Sequence, residues 1–176
     1  KLAVFNHEVT LDNPRFMLTS DTLKYHTETK LATILGPSDI YNQDNHIYSE
    51  RGFYNTLDDQ AELMDRSVLT SGGRQLTGDS LYYDRRMGYG EAFYDVEMND
   101  TINKNMLMGD YCYYNEHTEF AYATGKAVVV DYSQQDSLFI HGDTLKMNTY
   151  HLNTDSVYRD VMAYHKVRMY RNDLQG

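Results

Sequence analysis

The sequence predicts an all-β fold, an elongated β-jellyroll of stacked, bent antiparallel strands built from repeats of about 30 residues. Three observations carry this reading. A short segment with a small residue and a carboxylate at its centre recurs five times. A second segment with strict period-two alternation recurs six times. The stretches that join them are short and polar, as hairpin turns are.

The first segment occupies residues 18–25 and returns at 47–54, 76–83, 107–114 and 140–147. Its acidic residues are Asp21, Glu50, Asp79, Asp110 and Asp143, spaced by 29, 29, 31 and 33 residues. Parity changes in the middle of each copy. Leu18 and Ser20 share one face, whereas Asp21, Leu23 and Tyr25 share the other. The switch falls at Ser20, Ser49, Gly78, Gly109 and Gly142. A small residue followed by a carboxylate suits a bulge or corner where a strand bends. The five acids are therefore expected to be structural corner residues that accept local backbone N–H bonds.

The second segment alternates as Ala3, Phe5, His7, Val9, Leu11, then Ala32, Ile34, Gly36, Ser38, Ile40, then Ala61, Leu63, Asp65, Ser67, Leu69. It continues as Gly90, Ala92, Tyr94, Val96, Met98, then Ala121, Ala123, Gly125, Ala127, Val129, and last Val161, Ala163, His165, Val167, Met169. Period two is the strand period, and no 3.6-residue stripe survives this register. The middle position softens at His7, Gly36, Asp65, Gly125 and His165, as a second corner would. Links at 26–30, 55–60, 84–88 and 115–119 read as tight turns, which favour antiparallel neighbours. The expectation is about two strands per repeat and two facing sheets around a narrow interior.

Composition limits the function classes. The chain has 176 residues, so a single domain over 1–176 is the default. Its formal net charge of −10 disfavours nucleic acid, whose recognition depends on Lys and Arg meeting phosphates. No apolar run approaches the roughly 18 residues of a membrane-spanning helix. One Cys excludes an internal disulfide framework. The start at Lys1-Leu2-Ala3 repeats Lys30-Leu31-Ala32, and Leu174-Gln175-Gly176 matches Leu76-Thr77-Gly78. The expectation is a fragment of a longer array whose terminal strands offer unpaired edges for docking.

The Gly/Ser-Asp-x-Leu-x-Tyr segments, clearest from Gly78 to Tyr83, together with alternating segments such as Gly90 to Met98, resemble a known family. It is that of the OstA-like periplasmic proteins of lipopolysaccharide transport (the LptA, LptC and LptD-N group). The resemblance covers nearly the whole chain and is least regular from Gln134 to Asp160. It implies a β-jellyroll whose groove holds lipid acyl chains, a periplasmic location with possible outer-membrane association, and head-to-tail joining to other such domains through edge strands. No catalytic motif and no cofactor accompany it.

The residues themselves leave two readings of the interior open. In one, small side chains leave room between the sheets and larger ones make the trough apolar. The groove lining is then Ala3, Phe5, Val9, Leu11, Ala32, Ile34, Ile40, Ala61, Leu63, Leu69, Ala92, Val96, Met98, Ala121, Ala123, Ala127, Val129, Val167 and Met169. Each buried methylene of an acyl chain stabilises by about 0.8 kcal/mol. In the other, the same residues pack against one another as a dry core. With a net charge of −10 the acyl chains must supply most of any lipopolysaccharide affinity. Arg85, Arg86, Lys166, Arg168 and Arg171 read as solvated charges before they read as a headgroup patch.

Other chemistry finds little support. The seven His residues form no His-x-x-x-His or His-Glu-x-x-His spacing, so no metal ligands are assigned. One acid per corner, beside Leu and Tyr, reads as structure before calcium. Cys112 stands where Leu23, Leu81 and Leu145 stand, which marks a core position. Ser71-Gly72-Gly73-Arg74 reads as a turn. No carboxylate pair is singled out for catalysis, and no catalytic residue is assigned. The Tyr ladder at Tyr25, Tyr54, Tyr83 and Tyr114 either stacks on sugars or covers neighbouring strands. The reading is a non-enzymatic periplasmic lipid-transport or assembly module. Its alternative is a scaffolding β-repeat with a filled core that mediates protein contacts.

Overall fold

The period-two segments and their polar links fold as expected, into strands joined by hairpins. The computed structural model describes residues 1–14, 16–42 and 45–171. The similarity noted at Leu174-Gln175-Gly176 lies outside the described residues. The strands are β1 (Leu2–Asn13), β2 (Phe16–His26), β3 (Leu31–Asn42), β4 (Asn45–Asn55), β5 (Gln60–Ser71) and β6 (Arg74–Asp84). They continue as β7 (Tyr89–Asp100), β8 (Asn105–Asn115), β9 (Phe120–Asp131), β10 (Leu138–Tyr150), β11 (Tyr158–Tyr164) and β12 (Arg168–Tyr170). Strands β1 to β11 pair in sequence order, every pair antiparallel, and β12 pairs with the other half of β10. Strand β10 forms inside the stretch that looked least regular. Among the described residues there is no helix, and so none long and apolar enough to cross a membrane.

The two facing sheets are halves of one continuous sheet, because the bent strands run through both. That sheet is creased along a line through the middle of every long strand. Register shifts mark the crease on each ladder from β1–β2 to β9–β10, for example between Ser20 and Leu23, Met64 and Ser67, and Phe93 and Val96. On the odd strands the crease is a left-handed step: His7 and Glu8 (φ 64° and 48°), Asp65 and Arg66 (64° and 58°), Tyr94 and Asp95 (59° and 48°). Gly125 with Lys126 and His165 with Lys166 repeat it. Strands β11 and β12 are thus the two halves of one last bent strand. The crease divides the sheet into an upper leaf, which ends at the turns after β2, β4, β6, β8 and β10, and a lower leaf, which ends at the other turns.

Small residues occupy the inside of the crease because the two leaves converge there. The row runs Ser20, Ser38, Ser49, Ser67, Gly78, Val96, Gly109, Ala127, Gly142, small at every position but Val96. A bulge leaves carbonyls without a ladder partner, and the serines supply one. Ser20 Oγ donates to the Thr22 carbonyl at 2.9 Å, Ser49 to Arg51 at 2.9 Å and Ser67 to Met64 at 3.0 Å. Ser38 also donates to Ser20 Oγ at 2.7 Å. The corner acids behave otherwise than expected. Asp21, Glu50, Asp79 and Asp110 lie exposed on the outside of the crease, with Asp143 half-buried. They cap no backbone N–H among the described residues, because the serines inside the crease satisfy the bulge from the opposite face. Two of the acids instead face cations of the left-handed steps: Asp79 with Arg66 (3.7 Å) and Asp143 with Lys166 (3.5 Å).

The outside of the crease is tight at Gly125, where φ is +74° and an added Cβ would stand 2.6 Å from Asp110 Cβ. Gly72 has φ +52° but open space around it. Gly125→Ala is expected to destabilise by about 2–3 kcal/mol, combining left-handed strain with crowding. Gly72→Ala, which adds strain alone, is expected to cost about 1 kcal/mol. Urea unfolding of the two variants measures the difference.

Candidate functional site

The candidate site is the space between the leaves and the mouth opposite the crease. Beyond the crease serines, the lower leaf turns Leu18, Ile40, Ile47, Leu76, Met98, Leu107 and Val129 inward, and the upper leaf turns Leu23, Ile34, Leu63, Leu81, Cys112 and Leu145 inward. All are buried, and they form one continuous cluster. Burial pushes the Cys112 thiol up to about 12, which makes it an inert core group.

The row nearest the mouth on the upper leaf shows why the interior closes. Following the ladder, it reads Ala3, Tyr25, Ala32, Tyr54, Ala61, Tyr83, Gly90, Tyr114, Ala121, Met147. Every small residue from Ala32 onward lies between two large ones. The alanine ladder therefore leaves no trough, because the tyrosine rings of the flanking strands occupy the space beside it. At Gly90, where the small residue is smallest, a cavity of ≈ 50 Å³ remains, lined by Leu69, Leu76, Tyr83, Gly90, Met98 and Tyr114. A small-molecule pocket usually holds about 300–1,000 Å³, so the interior is a filled core in this state.

The expected lining residues divide accordingly. Val9, Ala32, Ile34, Ile40, Ala61, Leu63, Ala92, Val96, Met98, Ala121, Ala123, Ala127 and Val129 are buried against one another. Leu11 and Leu69 are partly buried against the same cluster, and Ala3 is partly buried. Phe5 (44% exposed), Val167 (51%) and Met169 (62%) lie on the terminal strands, open to solvent. Phe5 registers with the core residue Leu23, and Met169 with Ile140, which packs against the core, so they continue the interior at its two ends. Beside them, β1 and the β11–β12 pair each have one edge without a partner strand among the described residues.

The mouth is closed by aromatic and polar contacts between the tyrosine row and the lower leaf. Phe16 meets the Tyr54 ring edge-on at 5.3 Å. Asn45 Nδ2 donates to the Tyr83 hydroxyl at 3.0 Å. The Arg74 guanidinium lies 5.6 Å from the Tyr114 ring centroid. Burial pushes the Tyr83 and Tyr114 hydroxyls up to about 12, so both stay protonated. Arg74 also binds Asp100 of its own leaf (2.9 Å) and Glu119 of the upper leaf (2.5 Å), and Arg159 completes the cluster on Glu119 (2.5 Å). Sequence reasoning missed this cluster, because Arg74 read only as part of a glycine-rich turn. Burial opposes ionisation of Asp100, but hydrogen bonds from Asn103 and Arg74 outweigh it and hold the carboxyl below its ordinary range. Burial likewise opposes ionisation of Glu119, and Arg159 and Arg74 outweigh it. Arg85 and Arg86 lie at the turn after β6, near Asp59 (3.9 Å) and Asp58 (3.2 Å). They do not join Lys166 in one patch, since Lys166 belongs to the crease. Among the described residues, no group of three or more His, Cys, Asp or Glu side chains is arranged to hold a metal ion.

A creased antiparallel sheet closed over an apolar interior defines a β-jellyroll repeat module. Residues 1–79 match the model of a family described as OstA-like protein. The match ends at the third corner acid, Asp79, while the same rungs continue to β12. The match covers less than half of the chain and agrees with the resemblance read from the repeated segments. No curated protein matches the chain.

Breaking the mouth cluster has two expected consequences. Arg74→Met leaves Asp100 and part of Glu119 without their cation and is expected to cost about 3 kcal/mol in urea unfolding. In the native protein both carboxyls sit below their unfolded values. Their contribution is therefore complete above the unfolded range, about 3.9–4.3, and is lost as pH falls through the lower folded values. The Arg74→Met variant is expected to lose less stability than the parent as pH falls below about 4, which a pH series of unfolding curves measures.

Proposed function

We propose that the chain is a non-enzymatic module of lipopolysaccharide transport or assembly in the periplasm. In this reading acyl chains enter between the leaves, and neighbouring OstA-like domains join through the edges of β1 and β11–β12. The observation that carries it is the interior, which is apolar across all the long strands and is closed at the mouth by side-chain contacts alone. The family match over residues 1–79 supports the same direction. An acyl chain gains about 0.8 kcal/mol per methylene buried, and a chain of about a dozen carbons offers enough to displace the tyrosine and arginine contacts at the mouth. Phe5 and Met169 would extend the apolar column into an adjoining domain.

A second reading is favoured by the packing itself. The tyrosine–alanine row is filled, as a scaffold with a permanent core would require, and such a protein would use its strand edges only to hold partners. Photo-crosslinking from Ala32, Leu63, Ala92 and Ala123 to lipopolysaccharide separates the two, with the outward Thr33 as control. The carrier is expected to label at the inward positions and not at Thr33. No labelling at any of the four would leave the scaffold.

A further inference from the structure

The outward face of the upper leaf carries an aromatic surface that the interior does not use. One row across the sheet reads Phe53, Glu62, Tyr82, Glu91, Tyr113, Tyr122, each registered with the next. The adjacent row reads Met64, Ser80, Phe93, Tyr111. The rings brace one another: Phe93 with Tyr111 at 5.1 Å, Tyr82 with Tyr89 at 5.8 Å, and Tyr113 with Tyr122 at 5.7 Å. Tyr111 donates its hydroxyl to Glu91 at 2.5 Å. Ser80 is the one small side chain among them. Around it lies a solvent-open depression of ≈ 500 Å³, ten times the volume left in the interior, lined outward by Glu62, Met64, Ser80, Tyr82, Glu91 and Phe93.

The chemistry of this lining is selective. Two braced rings supply apolar faces, and two carboxylates and a hydroxyl supply hydrogen-bond acceptors. Glu62 is exposed and makes no ion pair or hydrogen bond among the described residues. No Lys or Arg lines the depression, and the chain carries a net charge of −10. Phosphorylated, sulfated or carboxylated ligands are therefore repelled, whereas groups that donate hydrogen bonds, or carry an amine, are matched. We propose that this depression is a saccharide site, in which an uncharged or amine-bearing sugar ring stacks on Tyr82 or Phe93 and donates hydroxyl or amine protons to Glu62 and Glu91. It faces away from the interior, so it stands apart from acyl-chain binding.

Three probes test it by calorimetry and by shifts of the tyrosine ring signals: cellohexaose, the chitosan hexamer, and octyl glucoside as a sugar that also carries an alkyl chain. All three are expected to bind the native protein. Ser80→Phe fills the depression on a solvent-facing surface, so the urea midpoint is expected to hold while all three lose binding. Tyr82→Ala is expected to weaken them about 3- to 10-fold. Glu62→Gln removes the charge and keeps one acceptor oxygen, and is expected to weaken the chitosan hexamer about 5-fold and cellohexaose less. Absence of binding by both hexasaccharides overturns the proposal, as does binding that survives Ser80→Phe. Octyl glucoside binding alone, insensitive to Ser80→Phe, assigns the contact to the alkyl chain and the interior. A concentration-dependent dimer that Ser80→Phe abolishes, without saccharide binding, assigns the face to protein contact and overturns the proposal equally.

Discussion

The constraint on which the structure depends is that every long strand must bend at the same height. A sheet of this length with one apolar face has to cover that face, and here it does so by folding over on itself. Each bend needs an extra residue on one strand, a left-handed step on the next, and small side chains inside. The 29-residue spacing of the first corners keeps these requirements in line from strand to strand. A strand out of step by one residue would turn its apolar set to solvent. The inward serines answer the same constraint, since they satisfy carbonyls that the bulges leave out of the ladder.

The mouth is governed by different physics. The tyrosine row and its asparagine and arginine partners join residues from strands that are not ladder neighbours, so each contact couples the two leaves directly. Large and small side chains alternate along that row, and the alternation decides whether the interior is open or filled. A tyrosine beside an alanine fills its neighbour's space, so a ladder of alanines does not by itself make a channel. Gly90 shows the rule by exception, for a cavity persists where the small residue lacks even a methyl group.

Much of the fold was legible in the sequence, and the reason is periodicity. The parity switch at Ser20, Ser49, Gly78, Gly109 and Gly142 located the even-strand half of the crease, and the softened middles of the alternating segments located the odd-strand half. Left-handed backbone at His7, Asp65 and His165 was not legible as such, because these side chains carry no glycine signature. The site was less legible. Reading the alanines as a lining considered one strand at a time, whereas the filling tyrosines come from the strands on either side. The outward positions read only as mixed, because their order emerges across the sheet, where Glu62, Tyr82, Glu91 and Tyr113 become neighbours. Pairing register, which no single segment records, is what brought these residues together.

The closure at the mouth is built entirely from side chains, whereas the backbone hydrogen bonds all run along the sheet and through the crease. Swinging the two leaves apart would therefore break no ladder bond. What holds the leaves together is therefore the buried core and the side chains at the mouth, and not the hydrogen-bond ladder.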